Sequence, residues 1–272
     1  VIKDLFLARY LKKTHNSRIM LHIHYSDLGD ILPFNGFVRK YILNLMTKYT
    51  DSVLLLNTYS INQFISAGYS KQIFCLPNFH YSAGSRLTIS NHINFLYLGT
   101  IDNRKGFEIC LDLFIELSET HSNFKFHVAG EYTEENFKKR MELKIMNSPI
   151  LENIIFYGYL ESSQKNMLIS KCDCLMLLSS QEGMSMSMLE CMNHGLSVIT
   201  SDINANQFVF NRTEYKLFSL DNRNEILDKL STYLSSNDSL LEDKIKCLEI
   251  SKEYTFINHL ELLSTYIDAT CN

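Results

Sequence analysis

Tryptophan is absent from this 272-residue chain, proline occurs three times, and no apolar run nears the roughly 18–20 residues of a membrane-spanning helix. Neither a spanning helix nor a proline-rich linker protein is therefore expected. Glycine is sparse as well. None of its ten copies builds a GxGxxG turn or a phosphate-cradling loop ending in Gly-Lys-Ser/Thr, so neither nicotinamide binding nor ATP hydrolysis is indicated. Positive charge is not in excess: the net charge of −4 argues against a general nucleic-acid binder, and no nucleic-acid partner is expected. The seven cysteines (75, 110, 172, 174, 191, 247 and 271) are odd in number and scattered through apolar segments, which reads as reduced, buried thiols rather than a disulfide framework. The gap in Cys172-Asp173-Cys174 is too short for the usual zinc pairing, so no metal is expected.

What the chain does contain is enough apolar material, 46% of residues, for a sizeable core, arranged in a recurring pattern. Short β-branched or apolar runs alternate with stretches that carry an apolar residue every three or four positions, the signature of an α/β protein with parallel sheets. Strands are expected at Arg18 to His24, Val53 to Leu56, Gln72 to Leu76, Ile93 to Leu98, Lys125 to Ala129, Asn153 to Phe156, Cys174 to Leu178 and Ser197 to Thr200. Helices are expected at Gly106 to Glu119, Arg223 to Leu234 and Thr255 to Ala269. The polar, small-residue run "FHYSAGSRLTISNH" (Phe79 to His92) reads as a linker between two domains, 1–80 and a larger one from residue 81. The first has only three strands and the chain starts with Val1 rather than methionine, so truncation of the first domain is the expectation.

Two loops carry chemistry. "SSQEGMSMSMLECMNHG" follows the seventh strand, and loops at the C-terminal ends of parallel strands line the ligand crevice. Glu182 sits there among apolar and small neighbours where packing gains it little, which makes it the sharper functional candidate. Glu190 has two readings. With Ser187 it makes the Ser-x-x-Glu of a capping box, or it binds a ligand. The span between the two glutamates is too long for an acid/base pair working on one glycosidic bond and suits the two ends of a long ligand. The second loop, "LGTIDNRKG", places Arg104 and Lys105 just ahead of a helix N-terminus, where cations oppose the helix dipole unless an anion lies between. Upstream, His22 and His24 share one face of the first strand, and His24 is nearer its C-terminal end.

These stretches together resemble the retaining glycosyltransferases of family four, the group 1 transferases. Glu182-Gly183, Leu189-Glu190-Cys191-Met192 and Gly195 to Ser201 look like that family's Glu-x7-Glu signature. Tyr97-Leu98-Gly99 with Lys105-Gly106, Val128-Ala129-Gly130 and Phe156 to Leu160 match its other strand ends in order, and "YTFINHLELLSTYI" is similar to its final helix. The resemblance implies a GT-B architecture of two facing Rossmann-like domains: an incomplete acceptor-side domain (1–80), a nucleotide-sugar-binding domain (81–254) and a helix crossing back (255–272). It implies that Glu182 contacts donor-sugar hydroxyls, Glu190 the ribose, and Gly183, Met184 and Ser185 the sugar and phosphate. Lys105 would neutralise the diphosphate with Arg104, while Gly99, Thr100, Gly130 and Tyr159 complete the donor site and His24 reaches toward the sugar. Thr100 stands where the family has arginine, so Arg104 is expected to substitute. Met184 replaces an aromatic, Ser197 a proline, and Gly-Gly-x-x-Glu is absent after the eighth strand.

The function implied is transfer of a sugar from a nucleotide diphosphate sugar to a glycan or lipid-linked acceptor in cell-surface polysaccharide biosynthesis, with no cofactor. The alternatives are a non-catalytic nucleotide-sugar-binding module, an inactive truncated transferase, or a nucleotide-sugar epimerase of the same architecture. A cytoplasmic location is expected. Residues 1–50 hold eight Lys/Arg against three Asp, leaving −9 for the remainder. That basic end is either an ordinary solvated face or a peripheral contact with the inner membrane surface.

Overall fold

The computed structural model describes residues 2–25, 28–32, 36–81, 84–211 and 213–271. These fall into two compact units, one formed by Val1–Phe79, Glu182–Ser185 and Tyr254–Asn272, the other by His80–Gln181 and Met186–Glu253. Within the linker expected at Phe79 to His92, Ser82 and Ala83 lie outside the described residues.

The first unit runs α1 (Ile2–His15), β1 (Met20–Ile23), α2 (Leu28–Ile31), α3 (Gly36–Tyr49), β2 (Ser52–Leu55), α4 (Thr58–Ser66) and β3 (Gln72–Cys75). Its parallel sheet has the order β1-β2-β3. Strand β2 is buried throughout, as a central parallel strand with helices on both faces must be. On α3 the buried Ile42, Leu43, Met46 and Tyr49 recur at helical spacing and join Val53, Leu55 and Phe64 in one core. Asn57 caps α4, its side-chain oxygen accepting the Ser60 N–H at 2.8 Å.

The second unit continues β4 (Ile93–Leu98), α5 (Phe107–Ser118), β5 (Phe124–Ala129), α6 (Glu135–Met146), β6 (Ile154–Gly158), α7 (Ser162–Ile169), β7 (Cys174–Leu177), α8 (Met186–Asn193), β8 (Ser197–Thr200), α9 (Asn204–Phe210), α10 (Arg223–Ser235) and α11 (Asn237–Ser251). The last helix, α12 (Phe256–Cys271), belongs to the first unit. Five parallel strands order as β6-β5-β4-β7-β8, so the chain winds outward from β4 in one direction and then restarts on its other side at β7. The C-terminal ends of β4 and β7 flank the reversal, where loops diverge and ligands bind in open parallel sheets. Six buried residues of α5, including Phe107, Cys110 and Phe114, pack on Phe95, Phe124 and Phe126.

At the opposite end of this sheet Lys244 of α11 is fully buried against Asp173, Nζ to Oδ1 3.3 Å, and donates to the Thr88 carbonyl at 3.1 Å. The second Asp173 oxygen accepts the Asn94 N–H at 3.0 Å, so the linker, β4 and β7 share one buried charge pair. All seven cysteines are free thiols, and five of them are buried.

Candidate functional site

Four candidate residues of the second unit, Gly99, Thr100, Gly130 and Tyr159, gather at the C-terminal ends of β4, β5 and β6, whereas Arg104, Lys105 and Glu190 are not among the residues lining the cavity there. A cavity of about 360 Å³ opens there, lined by Gly99, Thr100, Gly130, Glu131, Tyr159 and Lys165 among others. Its floor depends on Gly130. A β-carbon at that position would lie 1.8 Å from the Gly99 carbonyl oxygen, and φ is +149°. Only glycine lets the loops after β4 and β5 touch backbone to backbone. The Gly130 N–H then donates to the Gly158 carbonyl at 2.8 Å and ties in β6. Thr100 is fixed from below by the Tyr97 hydroxyl, which donates to its carbonyl at 2.6 Å. Tyr159 stands 72% exposed at the rim.

Beside this cavity, Asp102 accepts the Lys105 N–H at 2.7 Å, forming the side-chain turn that starts α5. Gly106, at φ +72°, caps the helix and brings it against β7, since a β-carbon there would meet the Leu178 carbonyl oxygen at 1.9 Å. The N-terminus of α5 therefore sits beside the reversal point of the sheet. Arg104, expected to substitute for arginine at Thr100, donates from Nη1 to the Gln181 carbonyl at 3.3 Å. Its own carbonyl accepts the Ser180 N–H at 2.9 Å, so Arg104 braces the loop after β7.

Glu190 departs from the capping-box reading. Helix α8 begins at Met186, so Ser187 lies inside the first turn instead of at the cap. The Glu190 carboxylate instead takes Lys165, whose Nζ is 2.8 Å from Oε1 and 2.7 Å from Oε2. Lys165 escaped the sequence reading. The available signal was its place in the first turn of the helix after β6.

In the first unit, Glu182–Ser185 is held by two asparagines. The Asn57 side-chain amide donates to the Gly183 carbonyl at 3.0 Å, and that of Asn78 to the Met184 carbonyl at 2.9 Å. The Asn78 N–H also points at the Met184 sulfur, 3.2 Å away. Gly183 presses on the first strand's end: a β-carbon would meet Leu56 at 3.1 Å and the His24 carbonyl oxygen at 3.2 Å. Glu182, only 8% exposed, is thus fixed in the same unit as His24. From sequence this segment looks like part of the second domain; side-chain amides far away in the chain draw it to the first. His24 follows β1 and is exposed, its ring 4.0 Å from that of His22. Burial, then the neighbouring His24 and His259, push His22 down to about 4, so its ring stays neutral at physiological pH.

Among the described residues no group of three or more His, Cys, Asp or Glu is arranged to hold a metal, and no helix is long and apolar enough to cross a membrane.

Comparison with known proteins agrees with this layout. A curated relative, an uncharacterized 41.2 kDa protein in the cps region of Klebsiella pneumoniae, is 22% identical over 218 residues, covering 75% of this chain and 57% of its own. The chain thus spans a little more than half of that relative. Among solved structures, Anabaena HepE in complex with UDP and glucose matches with a TM-score of 0.80 at 15% identity, over 100% of this chain and 76% of that one. TarM matches with a TM-score of 0.77 at 17% identity, over 95% of this chain and 51% of its own. At such identities the likeness shows the fold, which is the expected GT-B. The model of one family, glycosyl transferases group 1, matches residues 86–261, well over half the chain. The chain belongs to the glycosyl transferases group 1 family.

Proposed function

We propose that this chain carries the donor site of a retaining glycosyltransferase that moves a sugar from a nucleotide diphosphate sugar to a glycan or lipid-linked acceptor in cell-surface polysaccharide biosynthesis. The observation that carries the reading is the cavity at the ends of β4, β5 and β6, bounded by the Gly99–Gly130 contact and by Lys165 in its ion pair with Glu190. Three further findings support it. HepE is solved with UDP-glucose, the pneumococcal O-GlcNAc transferase GtfA with UDP and GlcNAc, and the curated relative lies in a cps region.

In this reading the bond between the anomeric carbon and the diphosphate breaks, and negative charge grows on the departing phosphate. Lys105 and the α5 N-terminus offset that charge. The acceptor hydroxyl enters on the same face and gives its proton to the departing phosphate oxygen, so configuration is retained and no protein nucleophile is needed. Glu182 binds the donor-sugar hydroxyls, Gly183 to Ser185 supply backbone N–H groups, and His24 meets the sugar. Neither metal nor cofactor takes part. Incubation with a panel of UDP- and GDP-sugars and a glycan acceptor tests the reading. Sugar release or transfer is expected, falling about 100-fold or more in Glu182→Ala. Undiminished turnover in that variant refutes the role given to Glu182, and nucleotide binding without turnover favours a binding module.

We also propose a cytoplasmic site of action with peripheral contact to an anionic membrane surface. The free thiols suit a reducing compartment. On α1 and α3, Phe6, Tyr10, Phe37 and Tyr41 are exposed beside Lys3, Arg9, Lys13 and Lys40. Cosedimentation with vesicles rich in phosphatidylglycerol is expected, weakening as salt shortens the screening length. Equal binding to neutral vesicles would refute it.

A further inference from the structure

We propose that His22 is a positioning residue for His24, its bare ring nitrogen taking a His24 N–H and so fixing the tautomer and rotamer that His24 presents to the sugar. The proposal rests on the role given to His24 above. Strand β1 turns Leu21 and Ile23 into the apolar core of the first unit. Its other face carries His22 and His24, where a parallel strand covered on both sides ordinarily carries apolar residues. The two rings stand 4.0 Å apart.

Hydrogen bonding singles out one atom of this pair. A neutral imidazole has one N–H and one bare nitrogen. The Leu76 main chain accepts the His22 N–H, while His22 Nε2 is buried with no partner among the described residues, so the donor is Nδ1. Leu76 is an anchored acceptor, fully buried and with its own N–H on the Leu55 carbonyl at 2.8 Å. His259, whose ring is 6.4 Å from that of His22, gives its Nδ1–H to the Pro77 carbonyl at 2.9 Å. The other nitrogen of a neutral His259 ring is then an acceptor too and cannot satisfy Nε2. Buried acceptors are ordinarily paired, and the adjacent His24 ring supplies the missing N–H. Gly183 packs on the His24 main chain, where an added β-carbon would meet the His24 carbonyl oxygen at 3.2 Å, so the ring torsions are the freedom left to control. With one His24 nitrogen donating to His22 and His22 donating to Leu76, the second His24 nitrogen is left as an acceptor for a sugar hydroxyl. Orientation of one side chain through a second is the logic by which nucleophiles and bases are held elsewhere.

The test reads the coupling between the two histidines in the whole chain, with a nucleotide sugar that it turns over. His22→Phe keeps a flat ring without nitrogens. Its kcat should fall about 3- to 10-fold, the worth of one hydrogen bond, while the donor KM stays within about twofold. His22→Gln, which restores an acceptor near the Nε2 position, should return kcat to within about twofold of wild type. In a His24→Ala background, His22→Phe should have no further effect, because His22 acts through His24. Thermal melts confirm that each variant is folded. An unchanged kcat in His22→Phe overturns the inference, as does a loss that simply adds to that of His24→Ala. A loss equal in His22→Phe and His22→Gln also overturns it, since it marks a ring needed only for packing. If His24→Ala alone keeps full turnover, the role given to His24 falls instead, and if wild type turns over no nucleotide sugar the transfer reading falls; the inference falls with either.

Discussion

Replacing Gly130 with alanine tests whether the cavity is held open by a backbone contact. The added β-carbon would stand 1.8 Å from the Gly99 carbonyl oxygen and 2.8 Å from its carbon, both main-chain atoms with no flexible end to swing aside. The two loops must part by more than about 1 Å to restore a normal contact distance. Overpacking of this kind costs about 1–3 kcal/mol, and an L-residue at φ +149° adds about 1–3 kcal/mol of strain. A total of about 2–6 kcal/mol should lower the melting temperature by roughly 4–24 °C. Since both loops line the cavity, nucleotide affinity should drop by about tenfold or more. Gly158 provides the control, because its φ of +65° is strained for alanine but no atom lies within 4 Å of the new β-carbon. Gly158→Ala should cost only about 1–2 kcal/mol and leave affinity nearly intact. Calorimetric titration and thermal melts of the two variants decide the matter. Equal destabilisation by both, with equal nucleotide affinity, would refute the close-contact argument.

Lys244→Met leaves Asp173 charged and buried, so urea unfolding should show a loss of about 3–5 kcal/mol in the second unit, largely recovered when Asp173→Asn is added; a loss under about 1 kcal/mol would contradict the buried pair. His127 predicts acid sensitivity: Nε2–H donates to Asn94 Oδ1 at 2.9 Å and Nδ1 accepts from the Tyr157 hydroxyl at 2.8 Å, so the neutral ring is satisfied on both sides. Burial, then the Lys125 charge, push it down to about 4. The unfolded chain takes up that proton near pH 6.5, so stability is complete above 6.5 and declines as pH falls to about 4, by about 1–3 kcal/mol. Melts of wild type and His127→Gln between pH 4 and 7 should show a flatter slope in the variant.

Much of the scaffold was legible because parallel strands buried on both faces leave compact apolar runs. All eight expected strands are present, two of them with the expected bounds and the others shifted by one or two residues at an end, and α5 runs from Phe107 to Ser118 as its periodicity required. Glycines at strand ends, Gly99 and Gly130 above all, were visible as loop signals. Their mutual contact was not, since it depends on β4 and β5 lying side by side. The capping-box reading of Glu190 failed because a local motif competes with any partner the fold supplies, and Lys165 is 25 positions away in sequence. Arg104 and Thr100 show the same limit. Neighbours in the chain, they diverge in space, one bracing the loop after β7 and the other lining the cavity.

The amino-acid order by itself determined the α/β class, the strand sequence, the likeness to group 1 transferases and the choice of Glu182, Glu190 and Lys105 as candidates. Those properties follow from periodicity and from short motifs, which need only near neighbours. Tertiary structure alone decided that Glu190 faces Lys165, that Glu182–Ser185 is gripped by Asn57 and Asn78 in the first unit, and that Gly130 rests on Gly99. Each is a contact between residues far apart in sequence, made only once the sheets and helices have packed.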